Sequence, residues 1–98
     1  MYATSKAAVA HLTTSMAAEL SRYNIRVNAL APGYFLSEMN EEFFSTEKGQ
    51  AYMRSLPTRR LGKHEELSGP LLLLASDAGS FINGIILPVD GGHLAAGR

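Results

Sequence analysis

From residue 3 to residue 23 the chain has neither Gly nor Pro, and Val9, Leu12, Met16, Leu20 and Tyr23 return at steps of three and four. That spacing sets them along one stripe, so the pattern predicts a long amphipathic helix over 2–23 with this stripe as its core face. The other flanks carry Ala3, Ala7, Ala10, Ala17 and Ala18. Small side chains there either let a second helix approach closely or serve helix propensity alone, and both readings stand. Asn24 tolerates the left-handed conformation and predicts the stop. Ile25, Val27 and Ala29 then alternate with Arg26 and Asn28, which suits a short strand over 25–31 closed by Pro32-Gly33. Gly33 there lets a backbone or a ligand come close, although Pro-Gly is first of all a turn signal.

Residues 34–61 mix aromatics (Tyr34, Phe35, Phe43, Phe44, Tyr52) and methionines (Met39, Met53) with charges, and Gly49 and Pro57 punctuate them. Two short helices are expected, over about 38–47 and 50–55, forming a mobile flap. Its apolar side chains line a substrate pocket or make a small core of their own. Arg59-Arg60 reads as a solvated or salt-bridged pair in preference to an anion clamp. His64-Glu65-Glu66 places acids at the start of a helix over 64–76, whose core stripe is Leu67, Leu71, Leu74 and Ala75. Pro70 removes one backbone bond there and is expected to bend the helix or loosen its first turn. The run 85–89 is nearly all apolar, which predicts a strand buried on both faces. Helix, strand, flap, helix, strand implies two parallel strands joined by a right-handed crossover, half of a sheet domain.

Ninety-eight residues make one domain at most. Nine basic and nine acidic side chains balance, giving no electrostatic reason to expect nucleic acid or a membrane surface as partner. Cysteine is absent, which excludes disulfides and thiolate metal sites and makes a reducing cytoplasm the expected setting. His11, His64 and His93 lie scattered without ligand spacing, so no metal site is expected. No leader opens the sequence and no apolar run approaches bilayer length, so a soluble, untargeted chain is expected.

Tyr2 and Lys6 stand one turn apart on the first helix and so share a face. A phenol is a poor acid-base catalyst at neutral pH unless its phenolate is stabilised, and a lysine one turn away can do that by charge. By spacing alone, the same pair is commonly a solvated one. Further signals lie downstream. Tyr2-Ala3-Thr4-Ser5-Lys6, then Ile25-Arg26-Val27-Asn28-Ala29-Leu30-Ala31-Pro32-Gly33 with Ser37 and Met39 behind it, then Leu74-Ala75-Ser76-Asp77 and Val89-Asp90-Gly91-Gly92 follow one another along the chain. In order and spacing they resemble the C-terminal half of a classical short-chain dehydrogenase/reductase.

The resemblance implies an α/β fold, the C-terminal half of a Rossmann-like doubly wound parallel sheet. It also implies an NAD(P)-dependent oxidoreductase moving a hydride between nicotinamide and a secondary alcohol or ketone, working as a homo-oligomer, dimer or tetramer. Tyr2 matches the family's general acid-base, and Lys6 the residue that lowers the tyrosine pKa and bonds the nicotinamide ribose. Pro32 and Gly33 match the loop beside the nicotinamide. Ser37 matches a position that bonds the carboxamide or a nearby phosphate, and the flap matches the substrate lid. Among substrates, the impression is of 3-oxoacyl carriers or sugar acids. The family's glycine-rich turn, its catalytic serine and asparagine and its cofactor-selecting residue have no counterpart here, which leaves NAD against NADP open. The chain is therefore expected to be a fragment without activity alone. The alternative is a non-catalytic association module using the two-sided helices 3–23 and 65–76.

Overall fold

The computed structural model describes residues 2–97, with side chains from residue 4 onward. The chain forms two units, Met1–Ala31 with Pro70–Leu87 and Pro32–Gly69 with Pro88–Arg98.

In the first unit, helix α1 (Tyr2–Leu20) runs into a 3-10 turn, Ser21–Tyr23. Asn24 ends it with φ 61°, its N–H donating to the Ser21 carbonyl at 2.9 Å. The face α1 buries differs from the expected stripe. Val9 and Leu12 remain 56 % exposed and Met16 37 %, whereas Ala17 and Thr13 are buried. Thr13 can be buried because its hydroxyl donates to the Val9 carbonyl one turn back (2.8 Å), which leaves no open donor. Ala17 is small enough to meet Gly84, where a Cβ would stand 3.3 Å from the alanine methyl.

Strand β1 (Ala29–Pro32) is shorter than the expected 25–31. The preceding residues replace a backbone ladder with side chains. Val27 N–H donates to Asn83 Oδ1 (2.9 Å), and Ile85 N–H donates to Asn28 Oδ1 (3.0 Å). Asn28 Nδ2 returns a bond to the Ile82 carbonyl (3.1 Å) and Asn83 Nδ2 one to the Ala17 carbonyl (3.1 Å). The backbone then takes over, with Ala29 N–H donating to Ile85 O at 2.9 Å. Strand β2 is Ile86–Val89, and the sheet has the two strands side by side. Gly33 N–H donates to Val89 O at 3.0 Å, so both strands have advanced by the same number of residues and run parallel. Burial on both faces of β2 does not hold: Ile85 and Ile86 are 40 % and 36 % exposed.

Two short flap helices, α2 (Glu41–Ser45) and α3 (Glu47–Ser55), precede α4 (Glu65–Ala75), which continues through Pro70. Its first turn is tight, with Glu66 and Leu67 N–H bonded three residues back, to Lys63 and His64 carbonyls (2.8 and 3.0 Å). Leu67, Pro70 and Leu74 are half-buried, while Leu71 and Ala75, both expected in the core stripe, are exposed together with Leu72 and Leu73.

In the second unit the flap holds α2 (Glu41–Ser45) and α3 (Glu47–Ser55). Gly49 lies inside α3 instead of breaking it. A Cβ there would run into the Phe43 carbonyl, so glycine is what lets the two short helices turn on each other. Thr46 caps α3, its hydroxyl accepting from Gly49 N–H at 3.0 Å, and Phe44 and Leu56 are buried beneath.

Asn83→Ala removes both the acceptor for Val27 and the donor to Ala17, and is expected to lower unfolding stability by about 1–2 kcal/mol. Urea denaturation followed by circular dichroism measures this; an unchanged midpoint would show that water replaces the amide without loss.

Candidate active site

Tyr2 and Lys6 both fall in the first two turns of α1. The backbone of Tyr2 is helical, while its side chain lies outside the described residues. Lys6 is exposed, as are Thr4 and Ser5 beside it. The helix sets the two residues one turn apart.

Pro32, Gly33 and Ser37 belong to the second unit. The close approach that Gly33 permits is to the protein itself: a Cβ would stand 2.7 Å from Asp90 Cβ and 2.8 Å from its Cα. Asp90 in turn accepts from Gly92 N–H (2.9 Å) and Leu94 N–H (3.1 Å), closing the turn after β2. Ser37 has a backbone role. Its N–H donates to Asn40 Oδ1 (2.8 Å) and its carbonyl accepts from Asn40 and Glu41 N–H (3.2 and 2.9 Å), so it forms the turn into α2 with its hydroxyl exposed. His64 Nε2 pairs with the Leu36 carbonyl at 2.7 Å and ties the flap's entry to its exit.

The second unit also contains a cleft of about 110 Å³, with Tyr34, Phe35, Thr58, Arg60, Asp90 and His93 among its lining. Sequence reasoning passed over Thr58 and His93, because neither sits in a spacing that signals chemistry. Arg60 meets Glu66 through two parallel hydrogen bonds (2.8 and 2.9 Å), the salt-bridged one of the two expected readings. The Arg60 hydrogen bond, with help from Lys63 N–H (2.8 Å), pulls the Glu66 carboxyl down to about 2. Among the described residues no group of three or more His, Asp or Glu could hold a metal ion.

A Tyr-x-x-x-Lys helix followed by a parallel strand that ends in Pro-Gly defines part of a Rossmann-type α/β oxidoreductase fold. A family model described as enoyl-(acyl carrier protein) reductase matches residues 1–93. The 5-keto-D-gluconate 5-reductase of Escherichia coli K12 is 46 % identical over 96 residues, covering 97 % of this chain and 38 % of the relative. Among solved structures, a gluconate 5-dehydrogenase from Burkholderia cenocepacia in complex with NADP and tartrate superposes with a TM-score of 0.86 at 41 % identity, over 96 % of this chain and 37 % of that one. A 4-hydroxyisoleucine dehydrogenase mutant complexed with NADH and succinate gives 0.88 at 35 % identity, over 96 % and 39 %. The chain belongs to the short-chain dehydrogenase/reductase family, and it spans under two fifths of the length of these relatives.

Because Glu66 is lowered from the ordinary value of 4.5 to about 2, the pair's contribution to stability is complete above that ordinary value and is lost as pH falls towards 2. In Glu66→Gln this acid-dependent loss is expected to disappear. Urea midpoints compared across that pH window test it, and parallel slopes for the two proteins would contradict it.

Proposed function

We propose that the protein carrying this chain is an NAD(P)-dependent oxidoreductase acting on a secondary alcohol or ketone of a polyol or sugar acid. The observation that carries the reading is the near-complete alignment of the chain with a gluconate 5-dehydrogenase bound to NADP, at 41 % identity and a TM-score of 0.86. The keto-gluconate in the name of the Escherichia coli relative supports the substrate class.

In this reading Tyr2 exchanges a proton with the substrate oxygen, and Lys6 favours the phenolate by charge and bonds the nicotinamide ribose. The exposure of Lys6 and its helical spacing from Tyr2 fit the ribose end of that cofactor. When bound, the cofactor supplies the hydride chemistry. Pro32, Gly33 and Ser37 are assigned to the nicotinamide side by their positions in the family pattern, and the flap to substrate selection. NAD and NADP both remain compatible with the residues present, as the NADP and NADH complexes of the two structural relatives illustrate.

We place the molecule in the reducing cytoplasm on its lack of cysteine. No helix among the described residues is long and apolar enough to cross a membrane. Copies associate through open helical faces in this proposal: Leu71, Leu72 and Leu73 on α4 are 56 %, 64 % and 40 % exposed, a run of leucines that favours cover.

Tyr2→Phe, made in the protein that carries this chain, is expected to cut ketone reduction on the order of 10²–10⁴-fold with nicotinamide binding retained. Turnover near the parent's rate would remove the assignment. Leu72→Lys is expected to shift sedimentation towards the monomer, and an unaltered distribution would move the association elsewhere.

A further inference from the structure

Asn83 takes no part in the nicotinamide reading, but its chemistry is particular. Of the four asparagines it alone precedes a glycine. A side-chain amide next to an unhindered peptide nitrogen can be attacked by that nitrogen. Gly84 N then bonds to Asn83 Cγ, the Cγ–Nδ2 bond breaks, and ammonia leaves behind a five-membered succinimide. Gly84 has no Cβ to block the approach. Its N–H proton passes to solvent and the departing nitrogen takes one up, so neither oxidant nor reductant is needed. Water opens the ring at either carbonyl, giving aspartate or, with the main chain rerouted through the side chain, isoaspartate. Asn83 is exposed and, with Arg26 and Phe81, lines a cleft of about 170 Å³, ample room for that water.

The fold opposes the first step through the very atoms that react. Gly84 N–H donates to the Val27 carbonyl (2.9 Å) and Asn83 Nδ2 to the Ala17 carbonyl (3.1 Å). The succinimide has no hydrogen on Gly84 N and no Nδ2, so both bonds are lost as the ring closes. Val27 N–H, donating to Asn83 Oδ1 at 2.9 Å, holds the amide in place as well. The products cannot restore what is lost. A carboxylate only accepts, so it would face the Ala17 carbonyl without a donor. Isoaspartate adds one carbon to the main chain shortly before Ile85, whose carbonyl takes the Ala29 N–H and sets the register of the sheet.

We propose that Asn83-Gly84 is a fold-gated deamidation site, silent while Ala17, Val27 and the Asn83 amide are bonded together and converted irreversibly when this region opens. Each opening that is trapped leaves a chain unable to rebuild the same contacts, so conversion accumulates with the protein's age.

Incubation in mildly alkaline buffer, with and without urea, followed by peptide mass spectrometry tests it. Conversion is expected at Asn83 ahead of Asn24, Asn28 and Asn40, and at least about tenfold slower in buffer than in urea. Arg26→Lys gives up the two-handed grip on the Leu74 and Ser76 carbonyls. It is expected to speed conversion in buffer and leave the rate in urea unchanged. Asn83→Gln keeps an amide but must close a six-membered ring, and is expected to remove the conversion. The proposal is overturned if the parent converts as fast in buffer as in urea, if another asparagine converts first in buffer, or if Arg26→Lys leaves the rate in buffer unaltered. Converted protein that regains the parent's urea midpoint on refolding would equally overturn it.

Discussion

Arg26, Val27 and Asn28 hold the first unit together by supplying or finding side-chain partners for peptide groups that no strand ladder reaches. The Arg26 guanidinium gathers the carbonyls of Leu74 (2.8 Å), Ile82 (3.2 Å) and Ser76 (3.3 Å), which fastens the end of α4 to the approach of β2. Asn28 and Asn83 cross-bond the same region, and Asn83 reaches on to the Ala17 carbonyl of α1. Val27 contributes both its backbone groups, donating to Asn83 and accepting from Gly84 N–H at 2.9 Å. One tripeptide thus links α1, α4 and the start of the sheet. The register of β1 on β2 follows from it, because the Ala29 to Ile85 bond begins where this side-chain exchange ends.

Polar fastening matters here because apolar burial is thin. In the first unit Ala17 is buried, but Val9, Leu12, Leu71 and Leu72 are more than half exposed. Hydrogen bonds fix direction and register, whereas burial of apolar area is what usually supplies most of the favourable free energy of folding. Elements with sound local geometry and open apolar sides are what a family member would show when it spans less than two fifths of its relatives' length.

The local elements were legible for local reasons. A Gly-free, Pro-free run with three- and four-residue apolar steps made α1 visible, and Asn24 adopts the left-handed turn its residue type favours. What escaped depends on through-space partners. The periodic stripe through Val9, Leu12 and Met16 marks a face suited to burial, but whether anything covers it is decided by tertiary structure, and Ala17 is the residue that Gly84 meets. Alternation at 25–28 suits a strand, but asparagine side chains take over the peptide bonding there, so no ladder forms before Ala29. Gly49 looked like a break because its role depends on the Phe43 carbonyl, which reaches it only after the chain has turned at Thr46. Of the candidate site, the Tyr2 and Lys6 spacing and the Pro32-Gly33 bend could be read directly, whereas the lining contributed by Thr58 and His93 carries no pattern of its own.

Asp90 shows how one structural requirement sets the next in the second unit. Gly33 must lack a side chain because Asp90 lies against it, and Gly91, with φ 62°, faces Thr58, whose methyl a Cβ would approach to 2.7 Å. The same aspartate draws Gly92 and Leu94 N–H onto its two oxygens, and His93 lies between those two anchored residues. Its ring is therefore set against Tyr34 by a turn that the chain needs in any case to leave β2. Tyr34 is constrained from its other side by Tyr52, whose hydroxyl bonds it at 2.9 Å with the rings edge-to-face. A cleft wall fixed by strand exit and flap together has little freedom to collapse. The cleft is thus a consequence of how the turn and the flap are tied, and changing either tie would be felt at the His93 ring.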